Sequence, residues 1–192
     1  MKKFIYTVLL AFIASGCAYK TPPLSLGAYK GEYERERVKQ NVSIHLLHVK
    51  DTRSEKETIG YVVVDAKKTL PLYNEENLEK KYKDGLIYAL NVAGFNTNVS
   101  QNEAAMVVEI YIQDVKLVYN STKTFDENLK GEIVVQAKVK KGNKILTFNF
   151  KQKSGKWIKP TFDSKALEPF LEKLYNDSVN DIVAKLAAVA EE

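Results

Sequence analysis

Residues 132–153 read EIVVQAKVKKGNKILTFNFKQK. If Gly142-Asn143 is a two-residue turn, Val139 faces Leu146, Ala137 faces Phe148 and Val135 faces Phe150. The opposite surface then carries Lys138 beside Thr147, Gln136 beside Asn149 and Glu132 beside Lys153. One register sorts apolar from polar along both strands, and a slip of one residue would scramble it. A hairpin with one greasy and one wet face belongs to an antiparallel sheet covered on one side.

Upstream, Met106, Val108, Ile110 and Ile112 alternate with Val107, Glu109, Tyr111 and Gln113, which predicts a long strand. Before it, Leu78, Tyr82, Leu86, Ala89 and Ala93 hold helical spacing up to Gly94, a residue suited to close a helix. Asn74 is the expected N-cap, with Glu75 and Glu76 in the first turn. Further upstream, Val42, Ile44, Leu46 and Val49 suggest one strand and residues 61–64 another. Downstream, Leu167, Leu171, Leu174, Ile182, Leu186 and Val189 make a second amphipathic helix starting near Glu168, with Pro169 at its first position. The expected fold is α+β: a mostly antiparallel sheet with both helices packed on one face, in the order β-β-α-β-β-β-β-α.

The chain opens MKKFIYTVLLAFIASGCAYK. Lys2 and Lys3 precede an apolar run of about eleven residues. As a helix that run covers ~16 Å, half of a ~30 Å hydrocarbon core, so a cleaved signal segment fits better than a membrane span. Ala14-Ser15-Gly16-Cys17 resembles the lipobox of bacterial lipoproteins, in which the cysteine is acylated after cleavage. Cys17 is the one cysteine of the chain. Several acyl chains on it would hold the protein durably on a bilayer. Ala18 in place of Asp implies, by the same resemblance, sorting to the outer membrane. Removing residues 1–16 takes away two lysines and no acid, so the formal charge falls from +5 to +3.

Residues 17–38 contain Pro22-Pro23, Gly27, Gly31 and a run of mixed charge without strand or helix period. They are expected to form a flexible tether. Residues 39–192 form a single domain, long enough to bury a core without metal or disulfide. The 192-residue composition, 45% hydrophobic and 28% charged, excludes fibrous and broadly disordered classes.

Taken together, the signal and lipobox, Asp51-Thr-Arg53 followed by Ile59-Gly60, the helix closing on Ala93-Gly94-Phe95 and the KGNK hairpin resemble the YajG-like family of bacterial lipoproteins. The resemblance spans nearly the whole chain and implies an outer-membrane lipoprotein facing the periplasm. It carries over no catalytic residue.

Motifs for phosphate loops, nucleophile elbows, zinc proteases and EF-hands are absent from the sequence. His45 and His48, three apart on a strand, are expected on opposite faces, where they cannot share a metal. Asp51 and Arg53 read as a loop-ordering ion pair or a substrate-binding pair. Glu103, Glu109 and Asp114 are scattered along the chain. From Ile133 to Phe162 there are eight lysines and no acid. Lys138, Lys140, Lys151, Lys153 and Trp157 are therefore the candidate face for an anionic surface or a protein partner. The competing reading has the lysines protecting an edge strand while Trp157 packs under the second helix. The expected function is a non-enzymatic binding or assembly module, tied to the membrane through acylated Cys17 and meeting an envelope protein partner. The alternative is an accessory lipoprotein for lipid or lipopolysaccharide transport. No cofactor, metal or nucleic acid is expected.

Overall fold

The hairpin forms in the expected register. In a computed structural model that describes residues 23–31, 33–35, 37–39, 41–159 and 163–192, Val139 pairs with Leu146, Ala137 with Phe148, Val135 with Phe150 and Glu132 with Lys153. Gly142 takes a φ of +58°, and among the described residues only glycines have a positive φ. A positive φ at the first turn residue alone is the pattern of a type II′ turn, which needs glycine there. The elements are β1 (Ile44–Asp51), β2 (Thr58–Val63), β3 (Thr69–Tyr73), α1 (Leu78–Val92), β4 (Met106–Asn120), β5 (Leu129–Lys141), β6 (Lys144–Lys156) and α2 (Glu168–Glu191). The class is α+β as expected, with the order β-β-β-α-β-β-β-α.

The sheet is six-stranded and mixed. Pairs β2–β3, β4–β5 and β5–β6 are antiparallel, while β1 and β2 both run parallel to β4. They share one edge of that 15-residue strand, β1 along Met106–Ile112 and β2 along Leu117–Asn120. The extra strand before α1 is β3, the last strand of the sheet, a position where proline's missing N–H is tolerated.

Both helices cover the same face. Leu78, Tyr82, Leu86, Ala89 and Leu90 of α1, and Phe170, Leu171, Leu174, Val179, Ile182 and Leu186 of α2, are buried against Ile110, Ile112, Val135, Ala137 and Val139. The N-cap of α1 is Asn77, not Asn74: its side chain accepts from the Lys80 N–H at 3.0 Å, while Asn74 belongs to the turn before the helix. At the other end Gly94 N–H reaches Asn91 O and Phe95 N–H reaches Leu90 O, which closes the helix as a Schellman motif. α2 starts at Glu168 with Pro169 in its first turn. Among the described residues no helix is long and apolar enough to cross a membrane.

The segment expected to be a tether is packed from Leu24 onward. Leu24, Leu26 and Tyr33 are buried. Leu24 N–H donates to Tyr73 O at 2.9 Å, Ser25 N–H to Glu168 Oε1 at 3.0 Å and Lys39 N–H to Glu191 Oε1 at 3.0 Å. Lys30 pairs with Glu172 and Arg35 with Asp181. These partners ascend α2 from its first turn to its last, so the described residues between Leu24 and Lys39 form a strap alongside the helix. The strap has no period because it is neither helix nor strand, and its charges complement the acids of α2. Cys17 and the signal segment lie outside the described residues.

Candidate functional site

One face of the sheet carries the helices; the other carries the lysines. Lys138, Lys140, Lys151 and Lys153 are all exposed there, paired across the hairpin with Thr147, Ile145, Val134 and Glu132 respectively. Lys151 and Lys153 both reach the Glu132 carboxylate, at 2.8 and 2.9 Å. Hydrogen bonds from these two lysines hold the Glu132 carboxyl below its ordinary value, and the same contact raises Lys151. Lys138 stands over the Tyr111 ring at 5.0 Å. Lys151 and Lys153 thus share one carboxylate and Lys138 stands opposite Glu109 on β4, while Lys140 sits between Val107 and Ile145.

Trp157 is separated from most of this set. It follows the end of β6, ten strand positions beyond the partner of Lys138, a distance of ~33 Å at strand rise. It is not packed under α2: the side chain is 49% exposed and its Nε1 donates to Thr124 O at 2.9 Å. Its neighbour is the β4–β5 loop, whose Phe125 is 94% exposed. Sequence reasoning passed over Phe125 because a lone aromatic in a polar loop fits no period.

The histidines also depart from expectation. A bulge between Leu46 and His48 inserts Leu47 as an extra residue. His45 therefore aligns with Val107 and His48 with Glu109, two positions apart on β4, so both histidines share the open face. Each has its own partner: His45 Nδ1 lies 2.9 Å from Val99 O, and His48 Nε2 lies 3.3 Å from the Tyr111 hydroxyl. That hydroxyl donates to Glu109 at 2.6 Å, a bond that raises the Tyr111 pKa. Among the described residues no three His, Cys, Asp or Glu side chains are grouped to hold a metal.

Asp51 and Arg53 form a buried corner. Arg53 Nε and Nη2 donate to the Asp51 carboxylate at 2.8–3.2 Å, Nη2 also to Lys56 O and Nη1 to Thr58 O, both at 2.8 Å. The guanidinium is spent on holding the β1–β2 connection, which supports the loop-ordering reading. Gly60 completes the corner at a φ of +145°, and a Cβ there would sit 1.8 Å from Leu117 O. Only glycine lets β2 come this close to β4. A crevice of about 270 Å³ opens beside it between Arg53, Tyr61, Asp114 and Lys116, where β1 and β2 part along β4.

The fold is thus a mixed sheet covered on one face by two helices and a strap, with its other face open and carrying the exposed lysines. The model of a family described as uncharacterized lipoprotein, Lipoprotein_16, matches residues 32–186, and the chain belongs to that family, in agreement with the YajG-like resemblance. The family makes it a membrane-anchored envelope protein. No curated protein matches the chain. Among solved structures it is similar in fold to protein XCC0632 from Xanthomonas campestris, of family DUF330, with a TM-score of 0.60 at 10% identity over 88% of this chain and 97% of that one. A second crystal structure, of an uncharacterized protein, matches with a TM-score of 0.51 at 8% identity over 88% and 99%. At such identities the likeness concerns the fold alone.

Proposed function

We propose that the protein is held at the outer membrane by acyl groups on Cys17, with its domain in the periplasm. There it serves as a non-enzymatic binding module of an envelope assembly. The observation that carries this reading is the sheet's asymmetry. One face is consumed by packing, while the other displays Lys138, Lys140, Lys151 and Lys153 in a single register, with Glu132 shared by two of them and Glu109 opposite a third. A flat basic face of this kind suits an acidic protein surface, for which complementary charge speeds encounter and excludes wrong partners. The transport alternative calls for an apolar groove between sheet and helices, and buried side chains of both layers fill that space.

The test is in-cell crosslinking from positions 138, 140, 151 and 153, followed by replacement of all four lysines with glutamate. The expected result is one recurrent envelope protein captured from the native chain and lost from a charge-reversed chain that keeps its circular dichroism spectrum. Capture that survives the reversal would remove the basic face from the function. Capture of lipid alone would favour transport.

A further inference from the structure

Three connections meet at the end of the sheet opposite the Gly142 turn. Ser121 donates through its N–H and hydroxyl to Val63 O, at 3.0 and 2.9 Å, joining the β4–β5 loop to the β2–β3 turn. The buried Asn128 side chain donates to Ile158 O at 2.7 Å and accepts from Ile158 N–H at 2.8 Å, joining the same loop to the exit of β6. Trp157 adds its bond to Thr124 O. This fastened platform nonetheless displays Phe125 at 94%, Trp157 at 49% and Val64 at 37% exposure. Lys67, Lys68, Lys123, Lys156 and Lys159 are exposed around them, against Asp65, Asp126 and Glu127. Asp65 is already turned to the Lys67 and Lys68 N–H groups. Exposed aromatics ringed by lysine are the chemistry of a bilayer interface, where the rings sit at headgroup level and the cations meet lipid phosphate.

The course of the chain selects the same end. Leu24 is fixed beside Tyr73, and α2 begins next to it: Ser25 bonds Glu168, while Phe170 and Leu174 lie against Gly131. The strap thus enters at the level of Leu117 and Gly131, about three strand residues, or ~10 Å, from the Phe125 loop. The Gly142 turn lies ten or more residues, at least ~33 Å, the other way. Six peptide steps separate Cys17 from Pro23 and span at most ~22 Å. A lipid on Cys17 therefore lets the Phe125 end touch the bilayer and keeps the Gly142 end from it.

We infer that this end, with Phe125 and Trp157 as wedges and Lys123, Lys156 and Lys159 as its rim, seats on anionic phospholipid headgroups and fixes the orientation of the domain on the membrane. The inference rests on acylation of Cys17. It leaves the lysine face of β5 and β6 standing upright from the bilayer, open to the periplasm.

Trp157 is the chain's single tryptophan and reports on the seat directly. Full-length acylated protein is reconstituted in vesicles of phosphatidylethanolamine and phosphatidylglycerol, with and without brominated acyl chains. Trp157 emission should shift to the blue and be quenched. In a Trp157→Phe background, Phe125→Trp should be quenched more strongly and Ile145→Trp, on the open face near the Gly142 turn, not at all. Replacing Lys123, Lys156 and Lys159 with glutamate should abolish the quenching while the protein still floats with the vesicles. Floating protein with Trp157 and Phe125→Trp unquenched, or with Ile145→Trp quenched instead, overturns the seat and leaves the anchor standing. An intact mass without acyl groups on Cys17 overturns the anchor, and the seat with it.

Discussion

Two charged clusters use the same chemistry to opposite ends. At the corner, Asp51 and Arg53 meet at 2.8 Å with side chains 7% and 4% exposed. On the hairpin, Glu132 meets Lys151 and Lys153 at 2.8 and 2.9 Å, with those lysines 54% and 61% exposed. The distances are alike and the surroundings are not. A charge taken out of water needs its bonds satisfied, and the corner's guanidinium gives its hydrogen bonds to the Asp51 carboxylate and to the carbonyls of Lys56 and Thr58. A charge left in water gains little from its partner and remains available. Burial, more than charge, separates the cluster that holds the chain together from the one left open to solvent.

That contrast breaks most visibly at Arg53. Arg53→Ala leaves the Asp51 carboxylate buried without its cation and strands two carbonyls, and should cost about 3–5 kcal/mol in urea unfolding. Arg53→Lys should recover little, because an ammonium cannot reproduce the fork. Next comes Gly60→Ala, which sets a Cβ against Leu117 O and should lower stability by about 3 kcal/mol, read as a drop in thermal midpoint. The strap sharpens the comparison within one segment. Its ion pairs are exposed while Leu24 is fully buried, so Leu24→Ala should cost about 2–3 kcal/mol and Arg35→Ala under about 1. Equal, negligible costs at both positions would return the segment to a spacer.

The smallest effect belongs to Glu132→Gln, expected at well under about 1 kcal/mol at neutral pH. Its sign follows from the lowered carboxyl. The folded state binds that proton more weakly than the unfolded chain, so the contribution is full above the ordinary glutamate value near 4.5 and is lost as pH falls through the lower folded value. Urea midpoints measured from pH 6 to pH 3 should therefore fall slightly less in the Gln variant than in the native chain. Identical slopes would mean that the lysines do not hold the carboxylate.

The elements legible in the sequence were those with a period of their own. The β5–β6 register could be read from Val135 to Phe150 because two strands and a turn agree on one alignment, and α1 could be ended at Gly94 because its cap is local. The parallel pairings were hidden, since nothing in Ile44–Asp51 names a partner sixty residues ahead. β3 was hidden by its length and by Pro71. The bulge at Leu47 turned His48 to the face of His45, and one inserted residue leaves no trace in composition. In the candidate site each lysine was found by alternation, but the distance between Lys138 and Trp157 follows from strand length and was not weighed. The strap was missed because Leu24, Leu26 and Tyr33 pack at irregular intervals.

The shared edge of β4 has a consequence for how the chain acquires its shape. β1 and β2 both have their sheet partner on β4, so before residues 106–120 are in play only the β2–β3 hairpin and α1 have anything local to close upon. Pairings over such separations form slowly, since the long intervening loop must be closed before any contact rewards it. β1 and the parallel edge of β2 thus wait for the middle of the chain before they can pair. On the proposed export route, such late pairing would let the chain cross a membrane channel before the sheet closes around β4.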